Sequence, residues 1–156
     1  MKFRNTLTYI VYYILQFTWG FIQNFLGLIV FLTKIKCPHG FFHGAIVTYW
    51  PNTTNCMGLG MFIFMGEFEG HKRPYDDPKM YELERSFLSH EYGHTIQSML
   101  LGPFFFLVVG IPSVCWLNLP YFKKMRAKKN LSYYVAYQEK WANYIGKKVT
   151  KTLGPQ

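Results

Sequence analysis

The chain is short of charge. Only 16% of its 156 residues are Asp, Glu, Lys or Arg, against about 25% in an ordinary soluble domain. Acids are scarcest: there are eight, and seven of them fall between Glu67 and Glu91. Cysteine is also sparse. Cys37, Cys56 and Cys115 are odd in number, at unrelated spacings and without a Cys-x-x-Cys pair. That excludes a disulfide framework and a cysteine-built zinc site. No internal repeat or low-complexity segment is present, so the chain reads as one domain, 1–156.

One absence is local. Leu7 to Leu32 holds 26 residues and no charge, between Lys2 and Arg4 on one side and Lys34 and Lys36 on the other. About 20 apolar residues span a bilayer. A cleaved signal peptide has a shorter apolar core and a small-residue cleavage site, and neither is seen. Segment 1–33 is therefore expected to be a retained transmembrane anchor. Tyr9, Tyr13, Gln16, Gly20, Gln23, Asn24 and Gly27 fall on one helical stripe, and such a polar, small-residue stripe faces protein rather than lipid. A hairpin bent at Gly20 is the alternative.

What the chain does have is apolar and basic. Half the residues are hydrophobic, a fifth are aromatic, and the formal charge is +9. Nine Lys or Arg follow Pro120, with Glu139 the one acid among them. A basic, aromatic-rich chain suits nucleic acid, but the apolar content points to a membrane whose anionic face the basic tail meets. No nucleic-acid partner is expected.

Beyond the anchor, the β-rich runs "AIVTYW" and "MFIFMG" flank the turn-like "PNTTNCMGLG". They predict a β-hairpin over 40–69, with "AIVTYW" as an edge that could hold an extended peptide. Asp77 and Pro78 open a helix that Gly102-Pro103 closes, predicting 78–101. The apolar stretch 103–120 is broken at Gly110 and Pro112, as a re-entrant or transmembrane segment would be. A basic run follows. Segment 131–149 is then expected to be an amphipathic helix with Tyr134, Tyr137 or Gln138, Trp141 and Ile145 along one face.

The 78–101 helix carries "SHEYGH". His90 and His94 are four apart, hence on one helical face. Two imidazoles can there share a metal, while Glu91, a step round the helix, can take a proton from a water. With five His and six Glu in the chain, a chance match is on the order of 0.006. Zinc needs a third protein ligand. Glu139 in "QEKWANYIG" is one candidate, and Asn143, four residues on, can reach the second nitrogen of a ligand histidine. The cluster Cys37, His39 and His43 is the rival. His71, between Gly70 and Lys72, reads as surface. Tyr133, Tyr134 and Tyr137 are candidates to stabilise an oxyanion.

H-E-x-x-H followed on a later helix by E-x-x-A-[DN] resembles the gluzincin-type integral-membrane zinc proteases: the CAAX-processing and heat-shock membrane proteases and their small bacterial relatives. The resemblance covers about Ser86 to Gly146. It implies a mainly α membrane protein that hydrolyses peptide bonds, with His90, His94 and Glu139 on Zn²⁺, Glu91 as general base and Asn143 supporting a ligand histidine. The family has Asp where this chain has Asn143. The expected partners are a peptide or protein substrate and lipid. The expected site is a bacterial cytoplasmic membrane, with the active site towards the cytoplasm. That orientation puts Lys34, Lys36 and the Lys123–Lys129 cluster on one side, with 103–120 dipping in and turning near Gly110-Ile111-Pro112. The rival function is a non-catalytic, zinc-containing membrane protein of immunity or accessory type. A third option is a lipid-surface binder acting through "KKMRAKK".

Overall fold

A computed structural model describes residues 2–68, 70–152, 154 and 155, with side chains from Thr6 onward. The side chains of Lys2 and Arg4, on which part of the orientation rests, lie outside the described residues.

The expected single anchor is two helices, α1 (Lys2–Thr18) and α2 (Phe21–Thr33), meeting at 88°. The cause is local. Trp19 N and Gly20 N both bond to Leu15 O, so the helical ladder closes on itself. Carbonyls freed at the break are taken up by the Asn24 amide, which donates to Gln16 O and Gly20 O at 2.5 and 3.0 Å. The polar stripe does face protein: Gln16, Gln23, Asn24 and Gly27 are all buried. Among the described residues no single helix is long and apolar enough to cross a membrane, and two bent pairs pass only together.

The strands also differ from expectation. β1 (His39–Phe42), β2 (Ala45–Tyr49), β3 (Met57–Leu59) and β4 (Phe62–Met65) form one mixed sheet in the order β1-β2-β4-β3. "AIVTYW" and "MFIFMG" do pair, but in parallel, with Ile46 beside Phe62 and Tyr49 beside Met65. The separating segment is more than a turn. It contributes β3, which hairpins back on β4 and leaves β4 running alongside β2. β2 is consequently internal, and β1 and β3 are the edges. β4 is buried along its whole length, as a strand covered on both faces should be. Ile63 and Met65 pack with Leu88 and Tyr92 of the next helix. Phe62 and Phe64 pack with Tyr12 and Met61, beneath Val30 and Phe31.

α3 (Pro78–Leu101) opens with Asp77 accepting from Lys79 N and ends at Gly102, as the sequence predicts. The apolar stretch that follows does not turn at Gly110-Ile111-Pro112. A 3₁₀ turn (Gly102–Phe104) leads into a π-helical turn (Phe106–Gly110) and straight on into α4 (Ile111–Asn118). Pro112 falls in the first turn of α4, where its missing N–H costs nothing. The reversal comes earlier, with 117° between α3 and the Phe106–Asn118 segment, and a second break lies at extended Leu119 before α5 (Pro120–Lys129). The last helix, α6 (Tyr137–Thr150), starts later than expected. Ser132 caps a separate 3₁₀ turn (Tyr133–Val135), so Tyr134 precedes the helix. The inward face of α6 is Gln138, Glu139, Ala142, Ile145 and Gly146.

α6 packs along α3 at very close range. A Cβ on Gly93 would overlap the backbone of Ala142, and one on Gly146 would overlap that of Ser89. Two glycines thus bring the backbones together where His90, His94 and Glu139 lie. Outward, Phe17, Phe21, Phe25, Leu32, Leu107, Ile111 and Val114 are each more than half exposed.

Candidate metal centre

His90, His94 and Glu139 form a buried group that can hold a metal ion. His90 Nε2 and His94 Nε2 lie 3.1 and 3.3 Å from Glu139 Oε2, and 3.2 Å from each other. Ligand lengths of about 2.0–2.2 Å in a tetrahedral shell set edges of roughly 3.3–3.6 Å. The triangle is therefore slightly contracted, and of the right size.

The hydrogen-bond network says why these atoms cannot satisfy one another. Asn143 Nδ2 donates to Pro155 O at 2.9 Å, so its Oδ1 must face His90 Nδ1, 2.8 Å away, as acceptor. His90 then carries its proton on Nδ1 and a lone pair on Nε2. The same logic fixes the second imidazole. Gln97 Nε2 donates to Gln138 O at 2.9 Å, which turns Gln97 Oε1 to accept from His94 Nδ1–H at 2.7 Å. His94 Nε2 is likewise a lone pair. Ser113 Oγ and Tyr133 OH donate to the far oxygen of Glu139, Oε1, at 2.6 and 2.9 Å. Oε2 accepts no hydrogen bond. While both imidazoles are neutral, three buried acceptors thus converge on one point with no proton between them. Buried acceptors left in that state are costly, and a cation removes the cost.

Without a cation a proton is the substitute. Burial lowers the affinity of His94 for a proton, but the Glu139 and Glu91 carboxylates outweigh it and lift the imidazole above its usual range. Burial pushes Glu139 up, and the two imidazoles and Ser113 more than reverse this, holding it ionised.

Glu91 faces β3. Burial raises its carboxyl above the usual range, the two imidazoles pull it back, Glu139 raises it, and the Gly58 N–H, bonded to it, lowers it. Strand and helix meet this closely because Gly58 has no side chain: a Cβ there would press on Glu91 O and His94 Cβ. β3, an edge strand, therefore borders the metal centre, and internal β2 does not.

The three tyrosines separate. Tyr133 is engaged with Glu139. Tyr137 is mostly exposed and donates to Val108 O. Tyr134 stacks edge-on against His90 with ring centres 5.1 Å apart; its hydroxyl has no hydrogen-bond partner among the described residues, and burial and Glu91 keep it protonated. The rival cluster does not assemble. His39 bonds to Thr48 Oγ1 and Ile35 O, and Cys37 is free. His43 sits in the β1–β2 turn against Phe42 and Tyr92. His71 is exposed.

Two participants escaped the sequence reading. Gln97 lies three residues after His94, on the same face, and that spacing is a usable signal. Ser113 is a lone hydroxyl in an apolar stretch, and nothing in the sequence ties it to Glu139. No family model, curated protein or solved structure matches this chain.

Proposed function

We propose that the chain is a zinc-dependent membrane peptidase of the gluzincin type. The observation that carries this reading is the buried convergence of two imidazole nitrogens and one carboxylate oxygen, each within 3.3 Å of the others. Imidazole-rich donor sets suit zinc and disfavour calcium and magnesium. When bound, zinc supplies Lewis acidity, lowering the pKa of water and polarising a peptide carbonyl.

The chain's own residues do the rest. His90, His94 and Glu139 hold the ion, with Asn143 and Gln97 fixing the imidazoles and Ser113 and Tyr133 fixing the carboxylate. Glu91 takes a proton from water and returns it to the leaving amine, and its raised pKa brings it nearer that task. Tyr134 stands beside His90 with an uncommitted hydroxyl, available to an oxyanion. β3 would receive an extended substrate at its edge by backbone pairing. The exposed apolar residues of α1, α2 and Phe106–Asn118 support lipid as the other partner, with Lys123, Lys124, Lys128 and Lys129 of α5 for anionic headgroups. The corresponding location is a bacterial cytoplasmic membrane with the site on its cytoplasmic side.

The burial of all three ligands favours a second reading, a structural zinc in a non-catalytic binding protein. Zinc content and cleavage of an unstructured, fluorogenic protein substrate are to be measured on the wild type and on Glu91→Gln. The peptidase reading expects full zinc in both and a loss of about 10²–10⁴-fold in turnover in the variant. A wild type that holds zinc and cleaves nothing selects the structural reading.

A further inference from the structure

By the resemblance, Asn143 stands where an aspartate would place a negative charge. We infer instead that Asn143 is a positioning residue that works because it is an amide, clamped by the tail after α6. This rests on the metal-centre reading above and extends it to residues far from the ligands.

α6 ends at Lys151 in a left-handed conformation, φ 62°, which turns the chain back. The returning segment is tied to α3 and α6 together. Ser89 Oγ, on α3, lies 3.0 Å from Thr152 O and 2.9 Å from Thr150 Oγ1. Pro155 is buried, and its carbonyl accepts from Asn143 Nδ2 at 2.9 Å. The other end of the same amide receives the His90 proton at 2.8 Å. Asn143 is therefore used at both ends, as donor to the tail and acceptor from the ligand. An aspartate can do only the second. It would set a carboxylate oxygen against Pro155 O, acceptor against acceptor, and one of them would have to leave. Gly154 completes the clamp, since a Cβ there would overlap Asn143 Oδ1, the atom that holds His90.

The prediction runs against the simple charge argument. Adding a negative charge behind a ligand histidine should raise its basicity and tighten the metal. Here Asn143→Asp should loosen it. Zinc affinity is to be measured by chelator competition on the full chain for Asn143→Asp, Gly154→Ala and the double variant. Each single change is expected to weaken zinc binding by about 10–100-fold, the usual range when a ligand's supporting partner is lost. Because both act through one amide, the double variant should lose much less than the product of the two. Tighter binding by Asn143→Asp overturns the inference, as does full affinity in Gly154→Ala or multiplicative losses in the double variant.

A second measurement needs no metal. In the metal-free protein, nitrogen NMR should find His90 protonated on Nδ1. The Asn143 side-chain NH₂ should be protected from exchange in the wild type and unprotected in Gly154→Ala. An unprotected Asn143 amide in the wild type overturns the clamp whatever the protein binds. If the wild type binds no zinc while that amide is protected, the metal reading fails and the clamp stands.

Discussion

Two buried polar regions sit on opposite flanks of α3, and they are built on opposite rules. Where α1 and α2 meet, the amides of Gln16 and Asn24 are matched donor to acceptor. Gln16 Nε2 donates to Thr95 O, Asn24 Nδ2 to Gln16, and Met61 N to Asn24 Oδ1; the Gln23 oxygen and the Tyr12 hydroxyl nearby have no partner among the described residues. Where α3 and α6 meet, every donor points away from the centre and three acceptors face inward. The first region pairs its Gln16 and Asn24 amides within itself. The second leaves a place that a cation could fill. Burial of polar groups therefore has two meanings in one molecule, and the direction of the protons tells them apart.

The largest effect expected from breaking the contrast is at the centre. Glu139→Ala should abolish zinc retention through purification, while Asn24→Ala, in the matched region, should keep one zinc per chain. Metal analysis decides it, and zinc loss in both variants would mean that the two regions are not separable. Next comes stability. Asn24→Ala leaves Met61 N–H and the Gln16 carbonyl unpaired, at a cost of about 1–3 kcal/mol each way of counting an orphaned buried group. Denaturant unfolding of the metal-free protein should register it.

Ser113→Ala is expected to do less. It removes one of two donors on Glu139 Oε1, worth about 1.5–3 kcal/mol at most for a bond to a charged group, and should weaken zinc binding by no more than about 10–100-fold, without abolishing it. The smallest effect carries an instructive sign. The folded-state pKa of Glu91 lies above its unfolded value. Its contribution to stability is thus fully present below the unfolded value and is lost as pH rises through the raised one. At neutral pH Glu91→Gln should raise the melting temperature of the metal-free protein by a few degrees, and the gain should vanish in acid. A variant that melts lower at neutral pH would contradict the burial of that charge.

How much of this could be read in advance depended on range. The α3 boundaries and the His90–His94 pair follow from helical spacing and capping, which are local. Glu139 stands out because it is the one acid among nine cations, and Asn143 follows from it by i,i+4. The sheet did not yield in the same way. Parallel pairing of β2 with β4 depends on β3, which is three residues long inside a segment rich in turn formers. The α1–α2 break falls at Gly20, the position of the alternative bend, but its 88° angle was not legible because Gly20 alone does not set it. The bend is held by Asn24 reaching back to carbonyls at the break, with its oxygen committed to Met61 far along the chain. Pro155 and Ser113 bind the centre through tertiary contacts that no spacing announces.

The glycine-tight meeting of α3 and α6 has a consequence for cohesion. Its ligands come from two helices, so an ion held there is a removable cross-link between His94 and Glu139. Whatever binds only the folded chain stabilises it by mass action, by about 2.7 kcal/mol at a hundredfold excess over the dissociation constant. The apolar stretch from Phe104 to Leu119 lies wholly within the loop that this cross-link closes. Its two ends would be fastened or released together, so free metal would set how firmly this exposed apolar stretch is tied to the rest.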